Sequence, residues 1–422
     1  MDYTRRVVEH ELDELASLPA IVLQGPKGVG KTATALTRAK TVYRLDQPGE
    51  LEIARADPRR LVTGARPVLI DEWQRYPPSW DVVRDAVDAN RSGGQFLLTG
   101  SALPRNQPAH TGAARIVSVR MRPMTLFERG VGVPSVSLDS LLAGDRAAVS
   151  GHTEVALEQY VDEILGSGFP GLRGLDGRAL RASLDGYIDL IVEKEFPLLG
   201  LTVRNPAALR RWMTAYAAAT ATTASYDTIR AAATFSDGTK PARTTTAPYT
   251  DALESLWVVD PLLAWQPTAG AMSRVTGPAR HHLADPALAA RLLNVSREAL
   301  LSGRAVGPTL PRGGTLLGGL FESLACLSVR VFAQAAEAKV WHFRTKGGER
   351  EVDFIVETAD RGVVAIEAKL SAVITRDDTK HLRWMRDQLD DRFLDGVVIS
   401  TGADAYRDED GIAIVPLALL AP

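Results

Sequence analysis

Residues 25–32, GPKGVGKT, have the spacing G-x-x-x-x-G-K-[ST] and follow the apolar run Ala20-Ile21-Val22-Leu23. A strand that ends in a glycine-rich turn and opens into a helix leaves backbone N–H groups unpaired at the helix N-terminus. There they and the helix dipole can hold a polyphosphate. Gly25, Gly28 and Gly30 would let the chain curl round the anion, with Pro26, Lys27 and Val29 completing the cradle. Lys31 would reach the β- and γ-phosphates, and the Thr32 hydroxyl would ligate Mg²⁺. A chance glycine turn is the plain alternative, and residues further along the chain weigh against it.

The stretch Pro67-Val68-Leu69-Ile70-Asp71-Glu72 reads as a buried strand ending in two adjacent carboxylates. Asp71 would hold the Mg²⁺ through water, and Glu72 would orient or deprotonate the attacking water. A third apolar run, Gln95-Phe96-Leu97-Leu98-Thr99-Gly100-Ser101, ends in hydroxyls and in many such sheets lies between the first two. Thr99 or Ser101 could sense the γ-phosphate. Carboxylates after a strand are common by themselves. Behind a phosphate loop they point to hydrolysis of a nucleotide, ATP with Mg²⁺, rather than to transfer by an adenylate-type kinase.

A second pattern lies near the C-terminus. Glu322 falls on a helical stretch at 316–331, Asp353 inside a strand at 350–356, and Glu367-Ala368-Lys369 in a strand at 363–370. The separation of Asp353 from Glu367 suits one hairpin, so the two carboxylates could share a divalent ion, Mg²⁺ or Mn²⁺. Lys369, on the same strand face as Glu367, could then polarise the attacking water. Charged residues alternating in an apolar strand are costly to bury without a partner or a metal. The order Glu on a helix, Asp, then E-x-K resembles the core of restriction-endonuclease-like nucleases. A structural ion-paired cluster, or a nuclease fold that binds without cutting, would leave the same residues.

Several elements must position these groups, and 422 residues exceed one ordinary core. Apolar strands near 20–24, 41–45, 67–71, 96–99 and 115–120 alternate with helical stretches such as 31–40 and 79–89. That alternation predicts an α/β fold with a parallel sheet covered on both faces. The expected division is a P-loop ATPase domain at 1–130, a helical linker region at 131–223, a winged-helix-like region at 224–300 and an α/β nuclease-like domain at 301–422. Residues 104–114, polar and rich in Pro and Gly, read as a loop near the nucleotide.

Hydrophobic residues at 45% and charged ones at 24% are the balance of a soluble globular protein. A formal net charge of -2 gives no whole-molecule attraction to nucleic acid, so any such site must be a local patch. The single cysteine, Cys326, excludes an intrachain disulfide framework, suits a reducing compartment and sits in an apolar helical pattern as core. No run is read as approaching the ~20 apolar residues of a membrane span, and no signal-like stretch opens the chain, so the cytoplasm is expected.

In the middle, helical patterns near 153–165, 178–195 and 205–220 precede a more telling stretch. Residues 226–233 and 243–256 read as helices joined across the turn Phe235-Ser236-Asp237-Gly238. With the apolar strand Trp257-Val258-Val259 after them, they resemble a helix-turn-helix with a wing. Lys240, Arg243, Thr244, Thr245 and Thr246 would face DNA phosphates or bases. Helices paired for packing, or a protein-binding winged helix, are the alternatives. His281-His282 near Asp285 lacks a further ligand at metal-like spacing and reads as a loop pair beside a helix cap.

The loop GPKGVGKT, VLIDEWQRYP at 68–77, LLTGS at 97–101, Arg115 and RPMTLFE at 122–128 together resemble a widespread family of prokaryotic AAA-type ATPases with a C-terminal domain of unknown function. GSGFPGL at 166–172, YIDLIVEKEFP at 187–197, HLADPALAARLL at 282–293 and the end with EREVDFIV and AIEAKL carry the resemblance over nearly the whole chain. The family commonly has Arg where this chain has Lys27. The resemblance makes Arg115 the candidate arginine finger, in cis or from a neighbouring subunit, with a surface arginine at a strand start as the alternative. It suggests rings, though a cis arginine would allow a monomer or dimer. Two functions stay open. One is Mg²⁺-dependent ATP hydrolysis that drives a DNA-handling, nuclease-like C-terminal region. The other is a slow nucleotide-operated switch or scaffold that binds a protein partner, with an inactive nuclease-like fold.

Overall fold

The computed structural model describes residues 3–102, 114–201, 203, 205–234, 240–267, 277–303, 308, 310 and 314–422. The loop expected at 104–114, up to residue 113, and the turn expected at 235–238 lie outside the described residues.

Strands β1 Ala20–Gln24, β2 Thr41–Arg44, β3 Val68–Asp71, β4 Phe96–Gly100 and β5 Ile116–Arg120 form the first sheet, in the order β2-β3-β4-β1-β5. Every pair is parallel. Runs such as Val68-Leu69-Ile70 are apolar throughout because both faces of the sheet are covered. Ile21, Leu23, Leu69 and Leu97 line one face, while Ala20, Val22, Val68 and Leu98 line the other, the alternation that a pleated strand imposes. β4 lies between β1 and β3 as expected, so the C-terminal ends of these three strands stand side by side.

The second sheet is mixed. Two short strands come first, β6 Val136–Ser137 and β7 Gly151–His152. Then follow β8 Lys339–Arg344, β9 Glu351–Glu357, β10 Val363–Ala368, β11 Phe393–Ser400, β12 Asp404–Arg407, β13 Ala413–Pro416 and β14 Leu420–Ala421. The order is β7-β12-β13-β11-β10-β9-β8, and β6 pairs with β14 apart from it. Part of the stretch read as linker thus completes C-terminal structure. Two-residue strands are too short to show a hydrophobic period.

The helix Leu316–Ala335 corrects the sequence reading of membrane spans. It is 20 residues long with a mean hydropathy of 1.6, long and apolar enough to cross a membrane. However, 72% of its apolar 18-residue window is buried inside the protein. One apolar cluster joins it to Ile21 and Leu23 of the first sheet, Trp212 and Leu288 of the middle, and Val397 and Ile399 of the second sheet. The three regions therefore share a continuous core.

In the middle, helices Tyr226–Ala232 and Arg243–Ser255 form as expected, but no strand forms over 257–259. Trp257 adopts a left-handed φ of 60°, Val259 makes one isolated bridge to Leu283, and Leu262 makes another to Arg280. Thr246 is buried and cannot face DNA, whereas Lys240, Arg243, Thr244 and Thr245 are exposed.

Candidate functional site

β1 delivers the chain to the phosphate loop beside the end of β5. At Gly25 a Cβ would lie 2.1 Å from the Met121 carbonyl oxygen, so only glycine fits. Gly30 has φ 107°, a left-handed turn that opens directly into the helix Lys31–Leu36. Lys31 is buried, and its Nζ donates to the carbonyls of Gly25 and Pro26 at 2.9 and 2.8 Å. Burial pulls its ammonium from 10.5 down to about 8, with the Glu72 and Asp71 charges opposing the shift.

A bound polyphosphate would favour the charged Lys31. Binding should therefore take up a proton near and above pH 8, and ATP affinity should fall as pH rises through that range. Calorimetry in buffers of different ionisation enthalpy would show this uptake. It should vanish in Lys31→Met, and uptake that survived there would place the proton elsewhere.

The carboxylate pair meets this loop. Thr32 Oγ1 donates to Asp71 Oδ1 at 2.7 Å, and Thr99 Oγ1 donates to the same oxygen. A hydroxyl and a carboxylate converging here are hard oxygen donors of the kind Mg²⁺ takes. Glu72 sits at φ 56°, a conformation rare for a residue with a side chain, and its N–H donates to Thr99 Oγ1 at 3.1 Å. Ser101 Oγ and Gln74 Nε2 both donate to Glu72 Oε2, at 2.9 and 2.6 Å. Ser101 thus binds the candidate base directly. Gln74 was missed because a glutamine in a tight turn carries no motif, although it follows Glu72 by two positions.

The middle region closes over the loop. Lys27 Nζ donates to Glu195 Oε1 at 2.8 Å, and Tyr187 OH donates to the Lys27 carbonyl at 3.1 Å. Pro170 Cγ would lie 3.6 Å from a Cβ at Gly30. Asp285 Oδ2 accepts from Ser167 Oγ at 2.8 Å and from the Gly168 N–H at 2.6 Å, while Oδ1 caps the helix Pro286–Leu292 through the Ala287 N–H. A cavity of about 620 Å³ next to the loop is lined by Glu72, Gln74, Arg75, Ala102 and Glu195, among others.

Arg115 precedes β5, level with the start of β1 and so at the opposite end of the strands from the loop. Its Nε donates to Asp88 Oδ1 at 2.9 Å. The strand direction places it away from this chain's own phosphate loop.

In the second sheet the expected hairpin forms, with Ile366 opposite Phe354, and it brings Asp353 and Glu367 together. Asp353 Oδ2 accepts the Ala368 N–H at 2.9 Å, and Lys369 Nζ donates to Glu367 Oε2 at 2.9 Å. No motif in the sequence pointed to Arg280. This buried guanidinium from the middle region donates to Asp353 Oδ1 at 2.6 Å, and to Glu322 and Glu351. Burial pushes the Glu322 carboxyl up to about 8. Burial and the Asp353 charge push Glu367 well up, whereas Arg280 and Lys369 overcome burial to hold Asp353 low.

Among the described residues no group of three or more His, Cys, Asp or Glu is arranged to hold a metal. The expected second Mg²⁺ or Mn²⁺ does not fit while Arg280 stands among the carboxylates. His281 and His282 are likewise buried rather than in an open loop, with His281 bonded to Tyr216 OH and the Ala224 carbonyl.

Comparison with known proteins finds three family matches along the chain. Residues 17–129 match an AAA domain family. Residues 157–299 and 317–420 match two domains of unknown function, DUF8612 and DUF4143. Two uncharacterized proteins, Mb2031c of Mycobacterium bovis and Rv2008c of Mycobacterium tuberculosis, are each 28% identical over 350 residues, covering 81% of this chain and 68% of theirs. The Walker-type ATPase PABY2304 of Pyrococcus abyssi shares 17% identity at a TM-score of 0.39, covering 69% of this chain and 98% of that one. Residues 17–129 are thus a P-loop α/β domain of the AAA type.

Proposed function

We propose that this chain is a Mg²⁺-dependent ATP hydrolase whose nucleotide state changes the middle and C-terminal regions, and that those regions handle DNA. The convergence of Lys31, Thr32, Asp71 and Glu72 at the ends of β1 and β3 carries the hydrolytic reading. In this reading Lys31 binds the phosphates and Thr32 with Asp71 holds Mg²⁺, which when bound neutralises phosphate charge. Glu72, held by Ser101 and Gln74, takes the proton of the attacking water. Arg115 would serve a neighbouring copy, and turnover of Arg115→Ala equal to wild type would remove that role.

The test is ATP hydrolysis by wild type and Glu72→Gln, with and without single- and double-stranded DNA, while the DNA is watched for Mg²⁺- or Mn²⁺-dependent cleavage. DNA-stimulated turnover that is lost in Glu72→Gln is the expected result. For the exposed basic pair, Lys240→Glu with Arg243→Glu should weaken DNA binding and flatten its salt dependence. Unchanged affinity and slope would clear that surface of the role.

A slow nucleotide switch that binds a protein partner is the second reading, and the Arg280 ion pairs in the carboxylate cluster favour it. Tight nucleotide binding with flat, slow turnover and intact DNA would select it.

A further inference from the structure

We infer that Glu195 competes with the terminal phosphate of a nucleotide for Lys27, so that a triphosphate breaks the Lys27–Glu195 pair and a diphosphate leaves it intact. Glu195 is thereby the residue through which the middle region tells the two nucleotides apart. The inference deepens the proposed hydrolytic function and rests on it for where the terminal phosphate lies.

The pair joins two regions at the phosphate loop. Lys27 stands inside GPKGVGKT, and Glu195 ends the wide π-helical turn Ile191–Glu195 that continues the helix Gly177–Leu190. Lys27 Nζ donates to Glu195 Oε1 at 2.8 Å. Glu195 also lines the cavity bounded by Glu72 and Gln74. A phosphate attacked by water that Glu72 activates must lie against this same cavity. Glu195 therefore borders the space that the terminal phosphate needs. Its charge also reaches Lys31, where with Glu72 and Asp71 it opposes the fall in the ammonium's pKa.

The two partners differ in freedom. The Glu195 side chain is 8% exposed, whereas that of Lys27 is 41% exposed and carries its charge on a flexible four-carbon stem. A terminal phosphate beside them attracts Lys27 and repels Glu195, and it carries more charge than one carboxylate. It takes the ammonium. Glu195 is then a nearly buried carboxylate without its cation, a costly arrangement that is relieved when the turn 191–195 moves away.

Contacts without charge already hold the middle region against the loop. Tyr187 OH donates to the Lys27 carbonyl at 3.1 Å, and a Cβ at Gly28 would lie 4.0 Å from Phe169 Cδ1. The ion pair is the part of this contact that a phosphate can address.

Calorimetric binding of ADP and of the non-hydrolysable AMP-PNP, each with Mg²⁺, to the full chain tests this. Glu195→Gln keeps the size of the side chain and removes its charge. It should tighten AMP-PNP by about fivefold, the upper range for a partly exposed ion pair, and change ADP by less than about twofold. Lys27→Met should weaken AMP-PNP alone, and it decides the matter if Glu195→Gln does not fold. Equal gains for the two nucleotides in Glu195→Gln overturn the inference, as does an AMP-PNP affinity that is unchanged or weaker. ATP turnover read on the same samples reports separately on hydrolysis, and a gain for AMP-PNP without turnover supports the competition while removing the hydrolase. Failure of wild type and both variants to bind either nucleotide overturns the inference together with the hydrolytic reading.

Discussion

Replacing Glu72 by Gln should lower ATP turnover by about 10²–10⁴-fold, the usual worth of a positioned general base, and leave ATP affinity within a few-fold of wild type. The amide keeps the size of the side chain and an oxygen that can still accept from Ser101, so the loop, Lys31 and the Thr32–Asp71 contact are undisturbed. What it loses is the capacity to take a proton. Ser101→Ala and Gln74→Ala should each cost less, because each removes one of two donors from Glu72 Oε2 and leaves the base in place. Turnover in Glu72→Gln that stayed within a factor of about three of wild type would move the base elsewhere, since proton transfer normally contributes far more. Loss of nucleotide binding together with turnover would instead show that Glu72 shapes the loop.

The parts of this site that could be read from sequence are those fixed by neighbours along the chain. A strand, three glycines and a Lys-Thr pair within a dozen positions define the cradle, and the carboxylate pair follows directly from the end of β3. The Asp353–Glu367 pair was legible because one hairpin sets both the distance and the face. Glu195 over Lys27, and Arg280 among the carboxylates, come from residues far away in sequence, and single charged residues in helices or loops leave no periodic trace. Thr246 failed for a related reason. In a helix rich in Ala and Thr the inward face is set by the partner surface rather than by polarity, and Thr246 and Thr250 are both buried. The membrane reading missed the helix Leu316–Ala335 because its apolar residues are interrupted by Gly, Ser and Glu322. Those residues pass unnoticed as a run but leave the average high.

Asp260→Ala should destabilise the fold by about 3–5 kcal/mol, the range found when one partner of a buried ion pair is removed. Asp260 is buried where the first sheet, the middle region and the core helix meet. It pairs with Arg120 at 3.1 Å, Arg122 at 2.9 Å and Arg330 at 2.8 Å. One carboxylate therefore answers three guanidiniums, and its removal leaves them with only polar and aromatic neighbours. Arg122 would retain Gln334 at 3.1 Å, and Arg120 would retain the Trp257 ring at 4.4 Å. Burial alone would raise the Asp260 carboxyl, but the three arginines hold it well below the usual carboxylate range. Its contribution is therefore present above the unfolded value of 3.8 and is lost progressively as pH falls below that value toward the depressed folded one. The Asp260→Ala protein should show a lower denaturation midpoint at neutral pH and a flatter loss of stability in acid. A neutral-pH difference under about 1 kcal/mol would mean the arginines are compensated by water, as at an exposed pair. The junction also lies between the two candidate sites. Arg122 adjoins Met121, whose carbonyl closes on Gly25 of the phosphate loop, while Arg330 lies on the helix that bears Glu322. Uncoupling these ends should leave nucleotide binding intact and abolish any effect of ATP on the C-terminal region. A local packing defect without that role would lower stability alone.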